Sequence, residues 1–179
     1  MKKTILLMMA FSAYVSFAQE KMMTKTGKVT FEASVPAFEE IKGKNENATG
    51  VLVPATGEFA SLTLMKGFRF KIALMEEHFN ENYVQSDKYP KATFRGKIEN
   101  FDVKSLTATA KDYTIKGKME LHGKSKEISV PAKIKKTDAG IEISSTFNIN
   151  TEDFDIEIPS VVASKVSKKV IIKSDFIVK

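Results

Sequence analysis

The residues that could do acid–base or metal chemistry are few and far apart in this sequence. The two histidines, His78 and His122, have no histidine neighbour, and the chain contains no cysteine that could complete a zinc site. The acidic run from Glu152 to Glu157 lacks the Asp-x-Asp-x-Asn-Gly spacing of a calcium loop and is typical of a solvated loop. We therefore predict no metal site.

Sequence motifs of catalysis are likewise missing. The chain has no Gly-x-Ser-x-Gly turn, no phosphate-binding loop and no His-Glu-x-x-His zinc motif. Its net charge of +6 is one feature of proteins that bind nucleic acids. Its aromatic and basic residues, however, fall on opposite phases of alternating segments, and this arrangement does not suit the stacking of bases on aromatic rings. We therefore predict that the protein is not an enzyme, uses no cofactor and binds no nucleic acid.

Aromatic residues are the strongest candidates for a binding function. Most of them occupy one phase of segments in which apolar and polar residues alternate, as at Phe94 between Thr93 and Arg95. A ligand cavity and a packed interior both require this pattern, so the alternation alone leaves both open. The aromatic residues that we predict to line a ligand site are Phe31, Phe68, Phe70, Phe79, Tyr83, Phe94, Tyr113, Phe147 and Phe154.

Basic residues occupy the other phase of the same segments. We expect them to point outward into solvent rather than to form an internal anion site. These outward residues are Arg95, Lys97, Lys116, Lys118 and Lys133. Lysines at the mouths of loops are better candidates for binding a charged head group, although no spacing singles one of them out. They are Lys88, Lys91, Lys124 and Lys126.

The elements that must position these residues are mostly strands. Period-two alternation, together with weaker patterns in the last three ranges, predicts strands over residues 28–35, 68–74, 92–98, 113–121, 128–134, 141–149, 170–178, 51–53, 58–64 and 106–110. Closing such a sheet removes its exposed edges, and eight strands leave an interior wide enough for one small ligand. We therefore predict an all-β fold, a single antiparallel β-barrel of about eight strands.

One segment departs from the period of two. Within residues 74–85, the apolar residues Met75, Phe79 and Tyr83 recur every four positions, which predicts one short amphipathic helix. The helix should end before Pro90, which disfavours helical angles in the residue that precedes it. We expect the helix at one end of the barrel, with Phe79 and Tyr83 against the interior.

Two polar stretches are predicted as connections between strands. Residues 42–47 contain lysine, glycine, asparagine and glutamate, which favours a mobile loop. Residues 152–164 lack alternation and contain Pro159, so we predict an irregular connection with one helical turn.

The amino terminus has the order of a secretory signal peptide. Lys2 and Lys3 precede an apolar run that ends near Val15, and small residues lead to Ala18. The run is too short to span a bilayer with ease, so we predict cleavage near Ala18 after a signal peptide of residues 1–18. The remaining residues, 19–179, are enough for one domain, and without cysteine that domain has no disulfide.

Several segments resemble the YceI-like family of exported bacterial proteins. The most specific is His-Phe-Asn-Glu-Asn-Tyr at residues 78–83, followed by the run from Ser to Phe at residues 86–94. Phe31, the hairpin at residues 117–128 and the apolar residues 170–172 are also similar to the family. Together these segments extend over most of the chain.

The resemblance implies a lipocalin-like barrel in the periplasm, with no catalytic residues. Its apolar tunnel would hold a polyisoprenoid, such as a polyprenyl phosphate or an isoprenoid quinone. The chain departs from the family at residues 150–156, where an arginine and a glycine usually flank a phenylalanine, and its first strand lacks the family's histidine–serine pair. These departures concern recognition of the head group more than the fold.

We therefore expect a periplasmic or secreted protein that binds an isoprenoid-type lipid and has at most peripheral membrane contact. Two other functions stay open. An enzyme acting on such lipids would need a histidine or a carboxylate inside the barrel. A packed barrel that serves as an interaction module would leave a cavity smaller than about 300 Å³. The sequence does not indicate an oligomeric state.

Overall fold

The computed structural model describes residues 20–179 and shows a barrel of antiparallel strands. The predicted signal peptide, residues 1–18, lies outside the described residues. No helix within residues 20–179 is long and apolar enough to cross a membrane. The strands are β1 Met22–Ser34, β2 Lys42–Val53, β3 Glu58–Leu64, β4 Arg69–Phe70, β5 Lys91–Ile98, β6 Lys111–Leu121, β7 Lys124–Thr137, β8 Gly140–Asn150 and β9 Val166–Val178.

Eight of these strands close into a barrel, as the alternation predicted. Their order is β1-β9-β8-β7-β6-β5-β3-β2, and β1 pairs with β2 as well as with β9, so the first and last strands leave no free edge. The two-residue strand β4 pairs with the beginning of β2, where Phe70 lies opposite Gly43. The prediction of a single closed all-β barrel with one short helix is therefore confirmed.

The helical segment lies between β4 and β5. An α-helix, α1, spans Ala73–His78 and continues into one π-helical turn over Phe79–Tyr83. The Asn80 side-chain amide donates a hydrogen bond to the backbone oxygen of Glu76 at 2.8 Å, which stabilises the junction. This segment matches the predicted helix over residues 74–85, although its second half is wound more loosely.

The prediction of a mobile loop over residues 42–47 is wrong, because these residues form the first half of β2. Alternate residues are buried here despite their polarity. Gly43 leaves room for the ring of Phe31. Asn45 is only 1% exposed, and its amide donates to the backbone oxygen of Leu64 at 2.9 Å. A buried polar group that finds a partner is compatible with a strand.

Two other predicted strands are shorter than expected or missing. The strand predicted over residues 68–74 is reduced to Arg69–Phe70, because the chain turns into α1. Residues 106–110 form no strand. They follow a 3-10 turn over Val103–Ser105, and their one backbone hydrogen bond to a strand joins the oxygen of Thr107 to the amide of Lys136 in β7. The connection after β8 contains two 3-10 turns rather than one, over Thr151–Phe154 and Ser160–Val162.

The antiparallel order gives the barrel two different ends. The open end carries the β1–β2 connection, α1, the β6–β7 turn and the β8–β9 connection, whereas the closed end carries the β2–β3, β5–β6 and β7–β8 connections. At the closed end, a lower core packs under the β5–β6 connection and includes Leu52, Phe59, Ile98, Ile143, Phe176 and Val178. Towards the open end, an upper core includes Met65, Phe68, Phe79, Ile149, Phe154 and Ile172.

Candidate functional site

A cavity of about 480 Å³ lies inside the barrel. Side chains of the lower core, among them Phe59, Ile115 and Phe176, form its floor, and upper-core residues line its walls. A filled barrel would leave less than about 300 Å³. The side chains of the protein therefore do not fill this barrel, and the space is large enough for an organic ligand.

Four phenylalanine rings form one side of the upper wall. Phe79 comes from the π-helical turn, Phe31 from β1, and Phe68 and Phe70 flank Arg69 at the short strand β4. In five of the six pairs the ring centroids lie between 5.0 and 5.6 Å apart, with Phe31 stacked on Phe79 at 5.0 Å and an angle of 21°. This phenylalanine cluster fixes the helical segment to the barrel and presents an apolar surface to the cavity.

Seven of the nine predicted aromatic residues contact the cavity. The residues that the structure brings together there are Phe31, Phe68, Phe70, Phe79, Tyr83, Phe94 and Phe147. They come from β1, β5, β8, the helical segment and the chain around β4, so the wall combines distant parts of the sequence. Their role in binding a ligand stays a prediction.

The prediction that Tyr113 and Phe154 line the cavity is wrong. Tyr113 points inward from β6 but lies below the floor, where its ring contacts Phe101 with centroids 5.9 Å apart. Phe154 is fully buried in the 3-10 turn after β8. Its backbone oxygen accepts a hydrogen bond from His122 Nδ1 at 2.9 Å, which joins this turn to the β6–β7 turn.

Aliphatic residues and methionine complete the wall, and the sequence analysis did not single them out. From the strands come Val29, Met119, Ile149, Val170 and Ile172. The inward phase of Val29, Met119 and Ile149 was visible in the alternation, whereas residues 170–178 are partly apolar on both phases. Nothing in the sequence distinguished a cavity wall from a packed core. From the irregular connections come Ile41, Ile158 and Val162, which have no period and gave no signal.

The mouth of the cavity lies between the β1–β2 connection, α1 and the β8–β9 connection. Its lining contains the charged or titratable side chains Glu39, His78 and Lys165, all of which are exposed to solvent. Large apolar side chains are also exposed in these three connections, with Phe38 at 47%, Leu74 at 57% and Val161 at 83%. The opening therefore combines a few charges with an apolar rim.

The lysines predicted as head-group ligands do not line the cavity. Lys124 Nζ lies 2.7 Å from Asp155 Oδ2, and Lys126 Nζ lies 2.5 Å from Asp153 Oδ2, so both are paired outside the wall. The hydrogen bond to Asp155 raises the pKa of Lys124 above its ordinary value. Lys88 lies over the ring of Tyr89 at 5.0 Å. Among the described residues, the lysine that does contact the cavity is Lys165.

The basic residues on the outward phase are placed as predicted. Arg95, Lys97, Lys116, Lys118 and Lys133 are all exposed. Lys116 pairs with Glu99 and Lys133 with Asp112, each at 2.7 Å. These lysines are solvated surface charges and do not face the interior.

The two histidines lie in different places at the open end of the described barrel. His122 packs edge-on against Tyr89 with centroids 4.5 Å apart and bonds to the Phe154 backbone, which is a structural role. His78 lies exposed at the mouth. Within residues 20–179 no three histidine, aspartate or glutamate side chains group as metal ligands. The cavity wall of the described barrel presents no carboxylate or histidine below the mouth.

Comparison with known proteins agrees with this geometry. The family model of the YceI-like domain matches residues 13–178. The chain belongs to the YceI-like family. No curated protein sequence matches it at a significant level.

Solved structures share the fold of this YceI-like barrel at low sequence identity. A polyisoprenoid binding domain from Saccharophagus degradans, implicated in plant cell wall breakdown, is 15% identical with a TM-score of 0.76, covering 89% of this chain and 97% of that one. BcnA of Burkholderia cenocepacia is 20% identical with a TM-score of 0.67, covering 83% and 94%. The YceI protein of Campylobacter jejuni is 19% identical with a TM-score of 0.61, covering 81% and 89%.

The segment that carries most of the YceI resemblance lies beside the cavity mouth. Residues 78–83 form the end of α1 and the π-helical turn, and residues 86–94 lead into β5. Phe79, Tyr83 and Phe94 from this segment contact the cavity. The departure from the family at residues 150–156 falls in the 3-10 turn after β8, also at the open end.

Proposed function

We propose that this YceI-like protein binds an apolar, isoprenoid-type lipid inside its barrel and carries or stores it in the periplasm. The observation that carries the proposal is the cavity of about 480 Å³, whose walls are mainly phenylalanine, valine, isoleucine and methionine. The polyisoprenoid binding domain of Saccharophagus degradans has the same fold. The predicted signal peptide, residues 1–18, supports the location.

Burial of the hydrocarbon chain would supply most of the affinity. Each CH₂ group moved from water into an apolar site gains about 0.8 kcal/mol, so a few isoprene units give micromolar binding or better without any directional contact. The ligand would therefore be held reversibly and without a covalent bond. A polyprenyl phosphate and an isoprenoid quinone both satisfy this requirement.

The composition of the wall favours binding over catalysis. Acid–base chemistry on a bound lipid requires a titratable group within hydrogen-bond reach of the reacting atom. In the part of the chain that the structure describes, Glu39 and His78 contact the cavity only at the exposed mouth. The proposal is therefore a carrier that leaves its ligand chemically unchanged. Peripheral contact with a membrane stays a prediction.

Two neighbouring isoleucines on β9 allow a matched test. Ile172 is 9% exposed and contacts the cavity, whereas Ile171 is 38% exposed and points outward. Ile172→Trp should narrow the cavity and weaken binding of a prenylated lipid by about fivefold to a hundredfold, since overpacking costs about 1–3 kcal/mol. Ile171→Trp should bind like the wild type.

The two variants are compared by equilibrium binding of a delipidated protein to a radiolabelled geranylgeranyl lipid. The wild-type chain contains no tryptophan, so each variant carries a single indole whose emission also reports ligand entry. Equal binding by both variants would show that the lipid lies outside the barrel and would contradict the proposal.

A further inference from the structure

A belt of hydroxyl groups crosses the apolar interior between the two cores. Ser61 on β3, Ser145 on β8 and Ser174 on β9 all contact the cavity. Ser145 and Ser174 lie directly opposite each other in the register of β8 and β9. Other hydroxyl residues that contact the cavity lie nearer the open end, namely Thr63, Thr93, Thr151 and Ser167. The three serines are therefore the hydroxyl groups closest to the floor.

The three serines lie at the same depth, directly above the floor. The next inward residues towards the closed end are Phe59, Ile143 and Phe176, and all three belong to the lower core. Towards the open end, the next inward residues on the same strands are Thr63, Phe147 and Ile172, and all three contact the cavity. The three serines thus lie directly above the lower core, at the bottom of the cavity.

The serine hydroxyls have no hydrogen-bond partner among the described residues. Ser145 is 9% exposed, yet within residues 20–179 no side-chain hydrogen bond is formed by Ser61, Ser145 or Ser174. A hydroxyl that is withdrawn from bulk water without a hydrogen bond costs free energy. A polar group that enters the bottom of the cavity would remove this cost.

The group that fits this belt is uncharged. The charged side chains that contact the cavity, Glu39 and Lys165, lie at the exposed mouth, and none in the described wall lies at the depth of Ser145. A phosphate at that depth would lack a counter-charge, and burial of an unpaired charge is very costly. A carbonyl, amide or alcohol needs only hydroxyl partners.

We propose that the lipid carries an uncharged hydrogen-bonding group, which enters first and binds to Ser145 and Ser174 above the floor, with Ser61 on the facing wall. This inference rests on the proposed lipid-binding function and narrows it. The hydrocarbon chain then fills the upper part of the cavity beside the phenylalanine cluster, and its far end extends out through the mouth. A prenylated quinone has this chemistry, and a polyprenyl phosphate does not.

The test compares three probes on the delipidated full-length mature protein by equilibrium binding. The probes are a geranylgeranyl naphthoquinone, geranylgeranyl phosphate and squalene, an isoprenoid hydrocarbon without a polar group. The double variant Ser145→Ala and Ser174→Ala should lose about tenfold in affinity for the quinone, because two hydrogen bonds are removed. Its affinities for the phosphate and for squalene should not change.

The control is Ser144→Ala, which lies next to Ser145 on the outward phase and donates to the backbone oxygen of Lys133. It should bind all three probes like the wild type. An unchanged quinone affinity in the double variant, or an equal loss for all three probes, would overturn the inference while squalene binding still supports a lipid carrier. Failure of every probe to bind the wild type would overturn the proposed function as well.

Discussion

Phe79 links the helical segment to the strands through direct ring contacts. Its ring lies 5.0 Å from Phe31, 5.1 Å from Phe70 and 5.6 Å from Phe68, measured between centroids. The same ring contacts the cavity. One side chain therefore contributes both to the packing of the open end and to the surface that a ligand would meet.

Phe79→Ala should lower the free energy of unfolding by about 3 kcal/mol. Removal of a buried phenylalanine costs about 3–5 kcal/mol, and the lower value applies because one side of the ring already faces empty space. Urea denaturation measures the loss. The control Phe38→Ala removes a ring that is 47% exposed and should change stability by less than about 0.5 kcal/mol. Equal losses would show that the cluster does not hold the open end.

The sequence predicted the face of each aromatic residue better than its depth. Tyr113 and Phe94 both lie on inward phases, but Phe94 contacts the cavity and Tyr113 lies below the floor. A period of two specifies which side of a strand a residue occupies, not its height in the barrel. Height depends on the stagger of neighbouring strands, which local alternation does not encode.

At the scale of elements, β5 and β6 approach closely at a pair of glycines. Gly96 and Gly117 lie opposite each other in the register, and both occupy inward positions. A Cβ atom at Gly96 would lie 2.6 Å from the backbone oxygen of Lys116 and 2.9 Å from the ring of Phe94. The two glycines thus let the strands bend and let the Phe94 ring lie flat along the wall.

Gly96→Val should destabilise the barrel by about 1–3 kcal/mol, because the added side chain overlaps backbone and a ring that cannot both move freely. Thermal and urea unfolding of the purified variant measure the change. Thr114→Val adds no volume on the outward phase of β6 and serves as the control. A Gly96→Val variant as stable as the control would mean that the close approach has no structural importance.

Polar strands were the elements hardest to predict. Residues 42–47 form half of β2 although their composition favours a loop, because the Asn45 side chain gains a partner in the backbone oxygen of Leu64 at the end of the neighbouring strand β3. Residues 106–110 show the opposite case. They alternate weakly, but a single backbone hydrogen bond, from the amide of Lys136 in β7 to the oxygen of Thr107, joins them to a strand. Tertiary hydrogen bonds decided both cases, and they are not visible in local sequence.

At the scale of the whole molecule, closure of the sheet creates the space inside the barrel. Eight strands close without an edge and leave a central space, and about 480 Å³ of it is not filled by side chains. Closure could be predicted from the alternation and the family resemblance. The empty volume could not, because it depends on how the phenylalanine cluster and the lower core divide the interior.

Native mass spectrometry of the mature protein, purified from its own envelope fraction, tests the central claim most directly. A carrier should show one lipid bound per chain, and organic extraction should release a prenylated molecule of the same mass and return the protein to its ligand-free mass. A protein that is isolated empty, and that remains empty after incubation with prenylated quinones and polyprenyl phosphates, would contradict the proposal that the barrel is a lipid site.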